Sequence, residues 1–160
     1  MLNAQIKSNE SRASLNDDEI VELASRILWR RLKYQGSLNS PLSTVDFLKA
    51  KLGGSEREVF AVIFLSSSNQ IIEYKELFYG TINSAAVYPR EVVKDVLRTN
   101  AASVILAHNH PSGSCEISSA DKAITTKLIN ALSLIDVAVL DHLIIGDSYA
   151  SFAELNLLTN

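Results

Sequence analysis

The stretch Ser103-Val104-Ile105-Leu106-Ala107-His108-Asn109-His110-Pro111-Ser112-Gly113-Ser114-Cys115-Glu116-Ile117-Ser118-Ser119-Ala120-Asp121 falls into an apolar run, a tight turn and the opening of a helix. Ser103–Ala107 is short and apolar, as a fully buried strand is. Side chains two apart in an extended chain point the same way, so His108 and His110 present two imidazoles on one side. Pro111 and Gly113 turn the chain, and Ser118 is placed to cap a new helix. Asp121 stands in that helix's first turn, where a negative charge is favoured and can face back toward the histidines. Two histidines and an aspartate make three ligands with a fourth position open, which is how a catalytic zinc site differs from a structural one. Such a metal lowers the pKa of its water to roughly 7 and generates hydroxide near neutral pH. Taken singly, each residue has a plainer reading: two histidines at a strand end are commonly structural, Asp121 a helix-stabilising acid, Ser118 an ordinary cap. Those last two remain compatible with a metal, because a cap that fixes the helix start also fixes the ligand.

An open metal site also needs a proton carrier, normally a carboxylate beside the water. Glu58, at the start of the first predicted strand, is the candidate. Glu56, Glu73 and Glu76 lie close enough in sequence that spacing leaves them open.

Working outward, Val59–Leu65 is β-branched and aromatic, Ser66–Gln70 has turn chemistry and Ile71–Tyr79 is again extended, which predicts a hairpin. Tyr88-Pro89-Arg90 opens a helix with proline at its first position and Val92, Val93, Val96 and Leu97 on one face. The helix after Ser118 carries Ala120, Ile124, Leu128, Ala131, Leu132 and Ile135. Val137–Ile145 is the next strand, Gly146-Asp147 a turn and Tyr149–Phe152 a last strand. Toward the N-terminus, Met1–Ser14 is polar and aperiodic. A helix then starts at Asn16, Asp17 and Asp18, carries Ile20, Leu23, Ala24, Ile27 and Leu28 at helical spacing, and ends near Tyr34. Gln35-Gly36-Ser37 and Asn39-Ser40-Pro41 read as a connector. Val45–Leu52 is a short second helix, capped by Thr44 and stopped by Gly53-Gly54. Gly53–Ser55 divides a polar N-terminus and helical preface, residues 1–55, from a main domain, residues 56–160. Alternating elements of this kind predict an α/β fold with a mixed sheet.

Composition bounds the function. The chain has 160 residues, 47% hydrophobic and 21% charged, which is ordinary globular usage for one domain. A single cysteine cannot form an internal disulfide, which excludes a disulfide scaffold. The longest apolar run found, Val59–Leu65, is far short of the ~20 residues that span a bilayer, and the first residues lack the apolar core of a signal peptide. A cytoplasmic setting is expected. The formal net charge of −3 has the wrong sign for a protein whose main partner is a phosphate backbone. Arg26, Arg30, Arg31 and Lys33 cluster locally, a pattern that usually marks the solvated face of a helix.

His108-x-His110, seven residues, Ser118, two residues and Asp121 match without a gap the His-x-His-x7-Ser-x2-Asp signature of the JAMM (MPN+) metalloproteases. His108-Asn109-His110-Pro111-Ser112-Gly113 and Asp141-His142-Leu143-Ile144-Ile145-Gly146 resemble the RadC (UPF0758-type) branch, long labelled DNA repair proteins. Gly80-Thr81-Ile82-Asn83, Tyr88-Pro89-Arg90-Glu91-Val92 and Ser151-Phe152-Ala153-Glu154 are similar to that branch too. The resemblance covers roughly Glu56 to Leu158. It implies a JAMM/MPN, cytidine-deaminase-like three-layer fold, a curved mixed sheet flanked by helices, with one zinc ion held by His108, His110 and Asp121. It also implies that Glu58 handles the water's proton and that Ser118 helps stabilise the tetrahedral intermediate. Activated family members hydrolyse peptide or isopeptide bonds. No helix-hairpin-helix region of full-length RadC proteins stands before Glu56. The short preface at Ile20–Leu52 resembles the compact prophage-type members, which weighs against a DNA-binding role.

Other residues have plainer readings. His142 is read as a structural strand residue or else a partner behind the metal ligands, Asp141 likewise, Cys115 as a loop thiol or else one that approaches the metal or is oxidised, and Trp29 as the aromatic that docks the preface onto the sheet. Zinc deaminases need more cysteines than this chain has, and no His-Glu-x-x-His occurs. Two readings of different class stand: a zinc-dependent amide hydrolase acting on a peptide or protein conjugate, and a non-catalytic MPN-like binding module associated with DNA repair or mobile-element DNA transactions. An edge near Tyr79–Thr81 offers a place for an extended peptide to add as a strand.

Overall fold

The computed structural model describes residues 15–34, 41–80 and 86–158. Within them run α1 (Asp17–Tyr34), α2 (Pro41–Leu52), β1 (Val59–Leu65), β2 (Ile71–Tyr79), α3 (Pro89–Thr99), β3 (Ser103–Asn109), α4 (Ser119–Ser133), β4 (Ala138–Ile145) and β5 (Tyr149–Ser151). The expected loose terminus at Met1–Ser14, the connector at Gln35–Ser40 and the Thr81-Ile82-Asn83 motif lie outside the described residues.

The five strands form one mixed sheet in the order β2-β1-β3-β4-β5. β1 runs antiparallel to β2 and β3, β3 parallel to β4, and β4 antiparallel to β5. The parallel pair requires a crossover, and α4 supplies it. Alternation along β1 decides which helices cover which face. Val59, Ala61, Ile63 and Leu65 join Leu32 of α1 and Val45, Phe47, Leu48 and Leu52 of α2. Phe60, Val62 and Phe64 join Val92 and Val96 of α3 and Leu128 and Leu132 of α4. A strand covered on both faces reads as an unbroken apolar run rather than an alternating one, and β1 is such a strand. The architecture is the α/β class with a mixed sheet that the sequence predicts.

Asn16 caps α1: its Oδ1 accepts the Glu19 N–H at 2.9 Å while the Glu19 carboxylate accepts the Asn16 N–H at 2.8 Å. Trp29 meets Phe47 at 4.9 Å and Tyr74 at 6.1 Å between ring centroids, so it docks α1 on α2 and on the edge strand β2. Arg26, Arg30, Arg31 and Lys33 are all exposed. No helix among the described residues is long and apolar enough to cross a membrane.

Of the boundaries that differ from expectation, two are the most informative. α2 begins at Pro41, and Thr44 is a buried residue inside it rather than its cap. Proline suits the first helical position because its fixed φ is already helical and its missing N–H would have no partner there. β3 continues past Ala107 through His108 and Asn109, because β4 pairs with it as far as Asn109↔Ile145. That pairing is tertiary, and the local apolar run does not announce it.

Candidate metal centre

The parity of β3 sets the site. Val104 and Leu106 face α3 and α4, so His108 at the same parity faces them too. His110 follows one step beyond the strand. Its backbone N–H still donates to the Ile145 carbonyl at 2.8 Å, which holds the turn to the sheet. Gly113 lies at φ +82°, a conformation side chains rarely adopt. Its carbonyl abuts Gly146, where a Cβ would collide with it. The two glycines thus let the ligand loop lie flat against the β4–β5 turn. Cys115 turns its thiol toward these glycines rather than into the cavity.

Asp121 is delivered by a capping box. Ser118 Oγ accepts the Asp121 N–H at 3.1 Å, and Asp121 Oδ2 accepts the Ser118 N–H at 2.7 Å. The reciprocal bonds leave Oδ1 to face the histidines. His108 Nε2 lies 3.1 Å from Asp121 Oδ1, His110 Nε2 3.7 Å from Oδ2, and the two Nε2 atoms 2.9 Å apart. Burial pushes the Asp121 carboxyl up, but its contact with the His108 imidazole and the bonds from Ser118 outweigh that and hold it well below the usual carboxylate range.

The donor set fits a cation. The Ser114 carbonyl stands 3.0 Å from His110 Nδ1 and can only accept, so Nδ1 carries the ring's proton and Nε2 carries a lone pair. In tetrahedral zinc sites bonds of ~2.0–2.2 Å place donor atoms roughly 3.3–3.6 Å apart; here the two Nε2 atoms, at 2.9 Å, and His108 Nε2 with Asp121 Oδ1, at 3.1 Å, lie a few tenths of an ångström closer. His108 Nδ1 is taken up by His142 Nε2 at 3.0 Å. His142 is fully buried, with Phe152 stacked at 4.9 Å and Phe60 edge-on at 5.5 Å. Burial, helped by the neighbouring His108, pushes its pKa far below the ordinary histidine value. Of the two readings of His142, its contact with His108 is the one that makes it a partner of that histidine.

The three groups form the floor of a cavity of about 730 Å³ that Glu58, Phe60, Val87, Ser118 and Ile124 also line. Of the four carboxylates that spacing leaves open, Glu58 is the one on this cavity. Glu73 is tied to Arg98, Glu76 accepts from Tyr74 and Tyr79, and Glu56 is exposed elsewhere. Glu58's carbonyl accepts the Gly80 N–H at 2.8 Å. On either side of it Asn109 acts as a clamp, its Oδ1 taking the Val59 N–H at 2.8 Å and its Nδ2 donating to the Arg57 carbonyl at 3.0 Å.

Asn109, Ser114 and Thr125 were not signalled in the sequence as site residues, and neither was Glu116, a second carboxylate on the cavity. The available signal was position: Asn109 separates the two histidines and Glu116 precedes the cap by two. Asp141 organises β5 and the following turn, accepting from Ser151 Oγ at 2.7 Å and from the Ala153 and His142 N–H groups. Through Phe152 that turn closes over His142.

Comparison with known proteins places the chain in a family. The RadC-like JAB domain family matches residues 38–157, a span that includes α2. A UPF0758 protein of Vibrio cholerae serotype O1 is 48% identical over 153 residues, covering 96% of this chain and 98% of the relative. A second from the same organism is 49% identical over 138 residues, 86% of this chain and 87% of its own length. A UPF0758 protein of Saccharophagus degradans is 53% identical over 136 residues, and the match spans 84% of this chain but 61% of that longer relative. With three quarters of its length matched and relatives near half identity end to end, the chain belongs to the RadC family, as a RadC-like JAB domain.

Proposed function

We propose that the chain is a zinc-dependent hydrolase that opens a peptide or isopeptide amide bond. The observation that carries this reading is the convergence of His108 Nε2, His110 Nε2 and the Asp121 carboxylate on a cavity that Glu58 and Ser118 also line. Zinc suits two imidazoles and one carboxylate with a position to spare, and when bound it supplies Lewis acidity and a water of lowered pKa. Glu58 takes a proton from the attacking water and returns it to the departing amine nitrogen as the C–N bond breaks, so protons balance over the cycle. Ser118 Oγ already accepts the Asp121 N–H, which leaves its own hydroxyl proton to donate to the carbonyl oxygen as negative charge grows there. Phe60, Val87 and Ile124 give the cavity apolar walls, which strengthen those electrostatic contacts. The substrate in this reading is a peptide or a protein conjugate. Direct nucleic-acid binding is no part of it, since a net charge of −3 gives little attraction to phosphates. The setting is cytoplasmic.

Elemental analysis of the purified protein should find one zinc per chain, removed by His108→Ala or Asp121→Ala. A wild-type protein without bound metal would overturn the site. A peptide-library cleavage screen with a chelator control then tests the chemistry: Glu58→Gln should keep the metal and lose turnover. Cleavage at the wild-type rate would move the proton-carrying role to Glu116. Zinc bound without any cleavage would favour a non-catalytic binding module instead.

A further inference from the structure

We infer that Thr125 and His142 are positioning residues that fix the tautomer of His108, so that its Nε2 lone pair is presented to the metal. The inference rests on the metal reading given above and follows from counting protons along one chain of hydrogen bonds. Thr125 Oγ1 lies 2.6 Å from the Asp121 carbonyl oxygen, one helical turn back, and a carbonyl can only accept. The single hydroxyl proton of Thr125 is therefore committed there. The same oxygen lies 2.6 Å from His142 Nδ1 and can now only accept, so Nδ1 carries the His142 proton. His142 is fully buried between Phe60 and Phe152, where a charged ring would be costly; a neutral imidazole has one N–H, which leaves Nε2 bare. It stands 3.0 Å from His108 Nδ1, which must then be the donor. His108 Nε2 is left with its lone pair, aimed at Asp121 Oδ1 and His110 Nε2.

Each link has one direction, because the chain starts at a backbone oxygen that cannot reverse its role. Drawn the other way, Thr125 and the Asp121 carbonyl would be two acceptors facing each other while both are buried. The partner of a metal-binding histidine is often a carboxylate or a carbonyl. Here the position is enclosed by Phe60 and Phe152 and fully buried, where a charged partner would be costly. A neutral imidazole accepts the His108 proton without bringing a charge. The chain also begins and ends on ligands, Asp121 in α4 and His108 in β3, with β4 supplying the link. It therefore holds two ligand-bearing elements at their spacing in the metal-free protein.

The test is zinc affinity by competition with a chromophoric chelator, in the full chain. Thr125→Val keeps the shape and removes the hydroxyl. It should weaken zinc binding by about 10–100-fold, while Thr125→Ser restores affinity to near the wild-type value. Nitrogen-15 NMR of the metal-free protein should show His108 as the Nδ1–H tautomer in wild type and in Thr125→Ser, and a mixture in Thr125→Val. Wild-type zinc affinity in Thr125→Val with an unchanged His108 spectrum overturns the inference. If the wild type itself takes up no zinc, the metal reading fails separately. The NMR comparison still decides whether the chain of bonds sets the tautomer.

Discussion

One sheet carries two faces that differ in kind. Toward α1 and α2 it presents Ala61, Ile63, Leu65, Ile105 and Ala107, an apolar surface met by Val45, Phe47, Leu48 and Leu52. Toward α3 and α4 it presents Phe60, Val62, Phe64, Val104 and Leu106, and then turns polar at His108, with His142, Thr125 and Asp121 beside it. These four are as buried as the apolar residues, at 6%, 0%, 1% and 7% exposure. What separates the faces is therefore not depth but what burial demands. An apolar layer needs matched shape. A polar layer needs a partner for every donor and acceptor, in the right direction. The first demand is tolerant of sequence, and the second specifies residue types at single positions.

The contrast can be broken from either side, and the largest effect is expected on the apolar face. Leu48 is fully buried, and Leu48→Ala should lower the unfolding free energy in urea by about 2–5 kcal/mol with zinc stoichiometry unchanged. Unaltered stability would mean that α2 does not cover the sheet in solution. On the polar face, zinc at about a hundred times its Kd should raise the unfolding free energy by about 2.7 kcal/mol. Thermal melts with and without chelator should show this in wild type and in Leu48→Ala alike, but not in His110→Ala. Equal zinc stabilisation in His110→Ala would contradict the ligand assignment.

Asn109 sharpens the comparison, since it sits between His108 and His110 yet belongs by parity to the opposite face. Asn109→Ala strands the buried Val59 N–H and should cost about 1–3 kcal/mol, measured by urea unfolding. Its metal content should stay at the wild-type level, and loss of metal would mean the two faces are not independent there. The smallest effect is expected at the rim of α3. Burial raises the Asp95 carboxyl, but bonds from Lys75 and Arg98, each at 2.9 Å, outweigh it and hold the carboxyl below its ordinary value. A carboxyl lowered in the folded state adds stability above its unfolded pKa of about 3.9 and loses it as pH falls through the folded value. Asp95→Asn should thus melt lower than wild type at neutral pH, by about 1 kcal/mol or less for a solvent-facing cluster. The two proteins should converge in acid, below about pH 4. A constant gap at all pH values would assign the effect to packing instead of charge.

Much of the fold was legible because its signals are local. The hairpin Val59–Leu65 and Ile71–Tyr79 is bounded by turn residues, α3 by Pro89, and α4 by the Ser118–Asp121 box, which is written in four consecutive positions. The convergence of His108, His110 and Asp121 was legible for the same reason, since strand alternation and helix capping fix where the three point. Thr44 misled because a threonine ahead of an apolar run resembles a cap, while the true start lay at Pro41. His142 looked like any buried strand residue until β4 was seen beside β3, in the register Leu106↔His142. Nothing near it in sequence names Thr125 or His108 as its neighbours.

The sequence by itself determined the element types, the parity of the strands and the identities of the three groups that converge on the cavity, because each depends on residues within one turn or one strand. Tertiary structure alone decided that β3 and β4 lie side by side, and that Asn109 flanks Glu58 from fifty residues away. It also ran the proton order from the Asp121 carbonyl through Thr125 and His142 to His108. Hydrogen-bond direction is a property of partners brought together across the chain, and no local pattern encodes which partner arrives.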